Sequence, residues 1–413
     1  MRADEISAVG RLAGDAISGP ASLAKEVHGA ASARIFGVLG VLGVPVRFGH
    51  DAISAVVYRS VRTAIGALPR GGGAALAQLA PPQAASLAES TGGSIGLGVI
   101  NGALGDSLMN THEELALELA VRHRGCDLTP DRASLQRELP DAGPKLAVFV
   151  HGLCETDEAW EMLPLSGREA GRQSYGSRLR DEHGYTPLYV RYNTGLHISD
   201  NGRRLADALE GLVAAWPTEV EEIALLGHSM GGLVSRSACH YGERGEHVWT
   251  DRVRHVFCLG TPHLGAPLEK AANVAGWALG RLRETQPFAD LVNGRSAGIK
   301  DLRFGSVVEE DWRDCDPDEF LTDRCREIPF LDSATHYFVG ATVTRDPHSL
   351  LGRAVGDILV QFPSASGHGP TRRIGFELDN GHHLGGVHHI ELLNHPKVYE
   401  QIQTWLLRAE LPA

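Results

Sequence analysis

Ile223-Ala224-Leu225-Leu226-Gly227-His228-Ser229-Met230-Gly231-Gly232-Leu233-Val234 is the stretch on which the reading of this chain turns. Ile223 to Leu226 form a short apolar run of the kind that makes a buried strand, and a helical run begins at Gly231. Ser229 therefore falls on a strand-to-helix turn, where a strained backbone lifts a hydroxyl above the sheet edge. Gly227 and Gly231 flank it and tolerate the crowding. The same G-x-S-x-G spacing recurs around Ser94 and Ser296. Ser94 lies between Gly-rich helical segments and Ser296 follows Leu291-Val292-Asn293, so neither has a strand before it. Both read as turn serines, and Ser229 as the nucleophile.

Working outward, Leu146 to Val150, Pro187 to Val190, Val253 to Leu259 and Tyr337 to Val343 are further short apolar runs. Between them lie amphipathic helical stretches. The segment Arg203 to Trp216 carries Leu205, Leu209, Leu212, Val213 and Trp216 on one face, with Asp200 or Asn201 as its N-cap. The last helix carries Val398, Ile402, Trp405 and Leu406. This alternation predicts an α/β fold with a mostly parallel, buried sheet and helices on both faces. From about 268 to 333 no strong strand occurs, and an insertion at this point of such a sheet is expected to cap the site.

Residues 1–140 differ in texture. They are rich in Ala and Gly, and Ile53, Val56, Val57, Val61 and Ile65 share one helical face, as do Leu115, Leu119 and Arg122. A helical N-terminal extension is expected, with apolar faces open to three uses: packing on the main domain, covering a site, or touching lipid. Packing is the ordinary fate of an amphipathic helix. At 413 residues the chain exceeds the size at which one core stops growing, in keeping with a large domain plus an extension.

A serine hydroxyl needs a base to take its proton and an anion to orient that base. In this architecture both follow the serine in the chain, acid first. Asp346 and Asp357 both come after the fifth apolar run. Asp357, in Gly356-Asp357-Ile358-Leu359-Val360, is favoured, because Asp346 precedes Pro347 and suits a turn. His382, His383, His388, His389 and His395 are the late histidines. His389 is favoured for its hinge glycine before and apolar anchor after, with His388 its close competitor. His395, before Pro396, suits a helix start. The histidine spacings fit no helical zinc pair, and no metal is expected. The oxyanion of a tetrahedral intermediate would be held by the N–H of Met230, after the nucleophile, and by that of Leu153 in the turn after the first strand.

Taken in order, Phe149-Val150-His151-Gly152-Leu153, Gly227-His228-Ser229-Met230-Gly231-Gly232, Gly260-Thr261-Pro262-His263-Leu264-Gly265-Ala266-Pro267 and Gly356-Asp357-Ile358-Leu359-Val360 resemble the α/β-hydrolase superfamily. Within it the chain is similar to the lipase and carboxylesterase branch that includes GPI-inositol-deacylase-like hydrolases. Tyr192-Asn193-Thr194-Gly195 and Leu392-Leu393-Asn394-His395-Pro396 suit the same branch. The resemblance spans roughly residues 145–408. It implies a Ser-His-Asp hydrolase of carboxylic esters with a lid-like cap, a reaction that needs no cofactor, and the Gly/Ala-rich apolar helices favour a lipophilic substrate. The same triad also serves thioester cleavage and acyl transfer, since pocket shape and water exclusion choose the acceptor. A rival of another class is a lipid-associated interaction protein with a vestigial hydrolase domain.

The remaining features narrow the field. A net charge of −12 disfavours nucleic acid as a partner, because phosphate binding needs clustered cations. Glu309, Glu310, Asp311, Asp314, Asp316 and Asp318 form an acidic run without EF-hand spacing, read as a solvated loop rather than a calcium site. Cys239 and Cys258 read as core residues, and no CxxC pair occurs. Cys315 and Cys325 read as a reduced pair. Trp160 and Trp277 suit core packing and an acyl pocket equally. The N-terminus lacks a signal-peptide pattern, and the longest apolar run, Ile35 to Val46, is short for a bilayer and contains Pro45. A cytoplasmic protein is expected, with peripheral membrane contact through the N-terminal helices left open.

Overall fold

A computed structural model describes residues 1–39, 55, 59, 66–67, 69–161, 173–281, 285–344, 357, 359–369 and 372–409. Its centre is an eight-stranded sheet. The strands are β1 (Ala120–His123), β2 (Cys126–Asp127), β3 (Lys145–Val150), β4 (Tyr185–Arg191), β5 (Glu222–His228), β6 (Val253–Leu259), β7 (Thr335–Thr342) and β8 (Gly381–Gly385). Their order is β2-β1-β4-β3-β5-β6-β7-β8. From β4 to β8 every pairing is parallel, and β1 runs antiparallel to both β2 and β4. All five apolar runs are strands, and the α/β expectation holds.

Continuous apolar runs are what a sheet covered on both faces requires. Along β3, Leu146, Val148 and Val150 point into one core while Ala147 and Phe149 point into the other. The first core is closed by Leu205, Leu209 and Leu212 of one helix and Leu233 and Val234 of the next. The second is closed by Val398, Ile402, Trp405 and Leu406. These residues lie on α4 (Ile198–Ala215), α5 (Met230–Arg244) and α9 (Pro396–Ala409). The other principal helices are α1 (Ala3–Leu39), α2 (Thr91–Thr111), α3 (Tyr175–His183), α6 (Pro267–Leu279), α7 (Gln286–Asn293) and α8 (Ala297–Asp301). α6, α7 and α8 fill the insertion between β6 and β7, where the cap was expected.

Three expectations need correction. Residues 1–140 are not wholly helical: Ala120–His123 and Cys126–Asp127 are strands of the main sheet, and Leu115, Leu119 and Arg122 share no helix. Hydrogen bonding to the open edge of β4 outweighed a helical spacing that rested on three residues. The Ile53–Ile65 face lies outside the described residues. Second, the helix expected from Arg203 starts at Ile198, and neither Asp200 nor Asn201 caps it. Its first N–H is met instead by Asp301 Oδ2, 2.8 Å from Ile198 N and far away in sequence. Third, β8 was missed, because Gly381-His382-His383-Leu384-Gly385 carries little apolar signal.

None of the described helices is long and apolar enough to cross a membrane. In the acidic run, Glu309 pairs with Arg203 and Arg313, Glu310 with Arg244 and Asp318 with Lys300. All six cysteines are free.

Candidate active site

The site begins where β5 ends. Ser229 takes φ 53° and ψ −122°, between strand and helix, and its N–H donates to Leu259 O at 2.8 Å. A non-glycine residue at positive φ costs on the order of 1–3 kcal/mol and persists only where its surroundings enforce it. Here close backbone approach enforces it. A Cβ on Gly227 would stand 2.5 Å from Gly232 Cα, and one on Gly231 would collide with Val150 O. Both glycines are steric requirements of the turn.

Asp357 and His389 arrive from the far end of the chain. His389 Nδ1 lies 2.8 Å from Asp357 Oδ2, and His389 N–H donates to Asp357 O at 3.1 Å. Asp357 Oδ1 accepts the N–H groups of Leu359 at 3.1 Å and Val360 at 2.7 Å. Both side chains are buried. The other ring nitrogen, His389 Nε2, is buried and has no hydrogen-bond partner among the described residues. The ring lies against Gly260, where a Cβ would be 3.1 Å from both Cε1 and Nδ1. Gly260 follows Leu259, the residue that holds Ser229 N–H. The strained turn at Ser229 and the Asp357–His389 pair thus both lie at the C-terminal ends of β5 and β6.

The competing candidates lie elsewhere. His388 is exposed, with Nδ1 3.4 Å from Glu391. His383 Nε2 is 2.8 Å from Thr342 Oγ1, His382 is on β8, and the backbone N–H of His395 donates to Tyr175 OH. Asp346 lies outside the described residues. Ser94 is buried in α2 with Oγ 3.2 Å from Thr156 Oγ1. Ser296 Oγ donates to Gly102 O at 2.6 Å and accepts Ile299 N–H at the start of α8. Both are structural serines. Trp160 is fully buried, and Trp277 is partly exposed and packed on Phe320.

The N–H groups of Leu153 and Met230 donate to no other group among the described residues. The turn that carries Leu153 is closely braced. Glu155 Oε2 accepts Gly152 N–H at 2.7 Å, Cys154 N–H reaches Thr194 Oγ1 at 3.3 Å, and Tyr192 OH donates to His151 O at 2.7 Å. The buried His151 ring stacks on Tyr192, and burial pushes its pKa down.

Two supports of this turn escaped the sequence reading. One is α2. Its Gly98 and Gly102 lie on Cys154, Glu155 and Thr156, and its Gly105 on Asn193, which donates to Gly105 O at 3.0 Å. The spacing Gly98-x-x-x-Gly102 was a visible signal that a backbone approaches this face. The other is the pair Glu155–His228, at 3.1 Å. Burial by itself raises the Glu155 carboxyl, but the His228 charge and hydrogen bond and the Gly152 N–H outweigh it and bring it down to about 2.

Residues 148–313 match the family model of the PGAP1-like alpha/beta domain. With the sheet order described above, the α/β-hydrolase resemblance holds. No curated protein matches the chain. Among solved structures, the mature lipase BlEst2 of Bacillus licheniformis aligns at 21% identity over 63% of this chain and 91% of its own, with a TM-score of 0.39. An esterase of Pyrococcus furiosus aligns at 14% identity over 65% and 83%, TM-score 0.35. Lipase 1 of Pelosinus fermentans aligns at 14% identity over 65% and 100%, TM-score 0.34.

Proposed function

We propose that this chain hydrolyses carboxylic esters through an acyl-enzyme, with Ser229 as nucleophile, His389 as general base and acid, and Asp357 as the group that orients His389. Ser229 Oγ attacks the ester carbonyl carbon while its proton passes to His389 Nε2. Asp357 Oδ2 holds the Nδ1–H, which keeps the lone pair on Nε2 and steadies the imidazolium as it forms. The Met230 and Leu153 N–H groups receive the oxyanion. His389 then protonates the leaving alcohol, and water repeats the sequence to release the acid.

The observation that carries this reading is the buried Asp357–His389 pair, whose Nε2 is unpartnered while Nδ1 is engaged at 2.8 Å. A buried polar atom without a partner costs about 1–3 kcal/mol, and a nitrogen that must stay free to take a proton gives a reason for this one to persist. The exposed cap residues Leu268, Phe288 and Leu291 favour a lipophilic acyl chain and a peripheral lipid contact.

A fluorophosphonate probe tests the nucleophile, and p-nitrophenyl esters of graded chain length test the substrate class. Labelling and turnover by the wild type, with both lost in Ser229→Ala, are the expected results. Equal labelling of Ser229→Ala would refute the assignment.

A further inference from the structure

His228 sits immediately before the nucleophile, has no exposed surface, and has both ring nitrogens engaged. Nδ1 is 3.1 Å from Glu155 Oε2, and Nε2 is 3.2 Å from the main-chain carbonyl of His389. A backbone carbonyl can only accept. Glu155 Oε2 already accepts the Gly152 N–H at 2.7 Å, as a carboxylate does. A neutral imidazole carries one N–H, so it would leave one of these two acceptors facing a lone pair in a buried place. A doubly protonated ring satisfies both.

We infer that His228 is a positioning residue, held as an imidazolium between the Glu155 carboxylate and the carbonyl of His389, so that one buried cation ties together the oxyanion turn, the serine elbow and the catalytic histidine. The inference rests on the reaction proposed above for its catalytic meaning, though not for the state of the ring.

Each of its three attachments touches a different part of the site. Through Glu155 the cation reaches Gly152 N–H, one residue before the Leu153 oxyanion donor. Through its own backbone it is joined to Ser229. Through the His389 carbonyl it fixes the residue that serves as the base in that reaction. A positional error of about 1 Å in such a constellation costs about 10²-fold in rate.

The groups facing His228 are few. Glu155 and His151 approach from the β3 turn, and the His389 ring lies with its centroid 4.8 Å away and the Asp357 charge behind it. The edge of Trp160 completes the enclosure at 6.3 Å. Burial alone would lower the His228 pKa. The Glu155 charge and hydrogen bond, the His389 carbonyl and Asp357 oppose that, and the net direction is upward. A group with a raised pKa keeps its second proton below that pKa and loses it as pH rises through it. The clamp is therefore intact on the acid side and released on the alkaline side.

Two readouts on the full chain test this. NMR of the histidine-¹⁵N-labelled protein near neutral pH is expected to show two slowly exchanging ring N–H signals for His228, identified by their contacts with His389 and absent from His228→Gln. One signal instead of two overturns the inference, whether or not the protein hydrolyses esters. In steady-state ester hydrolysis, wild-type kcat should fall at alkaline pH with little change in KM. His228→Gln retains a donor toward the His389 carbonyl but cannot titrate. It should lose up to about 10²-fold in kcat and show no alkaline fall. An unchanged alkaline limb in His228→Gln overturns the clamp. If the wild type turns over no ester and takes no fluorophosphonate, the proposed reaction fails, and the NMR count still decides the state of His228.

Discussion

Asp357→Asn separates orientation of the histidine from mere packing. Asp357 Oδ1 receives two backbone N–H groups, from Leu359 and Val360, while Oδ2 faces His389 Nδ1. An asparagine has one acceptor oxygen and one NH₂. Two donors hold the amide oxygen at the Oδ1 position, so the NH₂ must turn toward His389. Nδ1 then has to accept, and the ring proton moves to Nε2, the atom that should take the Ser229 proton. The loop keeps its two hydrogen bonds, so the variant should fold with wild-type Tm, yet its base is in the wrong tautomer. Such a tautomer error in a serine triad lowers kcat by about 10⁴, which is about 5 kcal/mol of transition-state stabilisation. The assay is kcat and KM on a short-chain p-nitrophenyl ester, with Ser229→Ala as background and circular dichroism as the control for folding. KM should stay within a few-fold. If Asp357→Asn retains activity within tenfold of wild type, the acid assignment and the tautomer argument both fall.

The other predictions are shorter. Ser94→Ala and Ser296→Ala should still label with fluorophosphonate, while Ser296→Ala, having lost the bond to Gly102 O, should be about 1 kcal/mol less stable by denaturant titration. Gly102→Val should destabilise the chain by about 1–3 kcal/mol and lower kcat, because a Cβ there collides with Cys154 Sγ beside the Leu153 turn. Gly96→Ala, on the same helix with nothing within 4 Å of the new Cβ, should be neutral or stabilising by up to about 1 kcal/mol in a thermal melt. Glu155 is depressed to about 2 in the fold, so its stabilisation is complete above its ordinary carboxyl value of 4.5 and is lost as pH falls from there toward 2. Wild-type Tm should drop across that window more steeply than that of Glu155→Gln, and parallel curves would contradict the assignment.

Local pattern carried much of the fold. The five central strands were legible because a strand buried on both faces must be apolar at every position, and such runs stand out between amphipathic helices. The strained turn at Ser229 was equally legible, since strand, tight turn and helix are all specified within a dozen consecutive residues. Ser94 and Ser296 were rejected on the same ground, and the structure places both in hydrogen bonds that hold α2. Where the pattern was short or polar it misled: β1 looked helical on three residues, and β8 looked like a loop.

What the amino-acid order determined by itself was the set of elements with strong periodicity and the turn that strains Ser229, because both depend on neighbours within one or two turns of chain. What only the tertiary structure decided was which of His388 and His389 is buried, that Asp301 rather than Asp200 caps α4, and that Glu155 meets His228. Those pairs join residues 73 to 103 positions apart or adjacent residues with opposite exposure. Their partners are chosen by how the sheet edges, α2 and the late loop pack, and no local spacing encodes that packing.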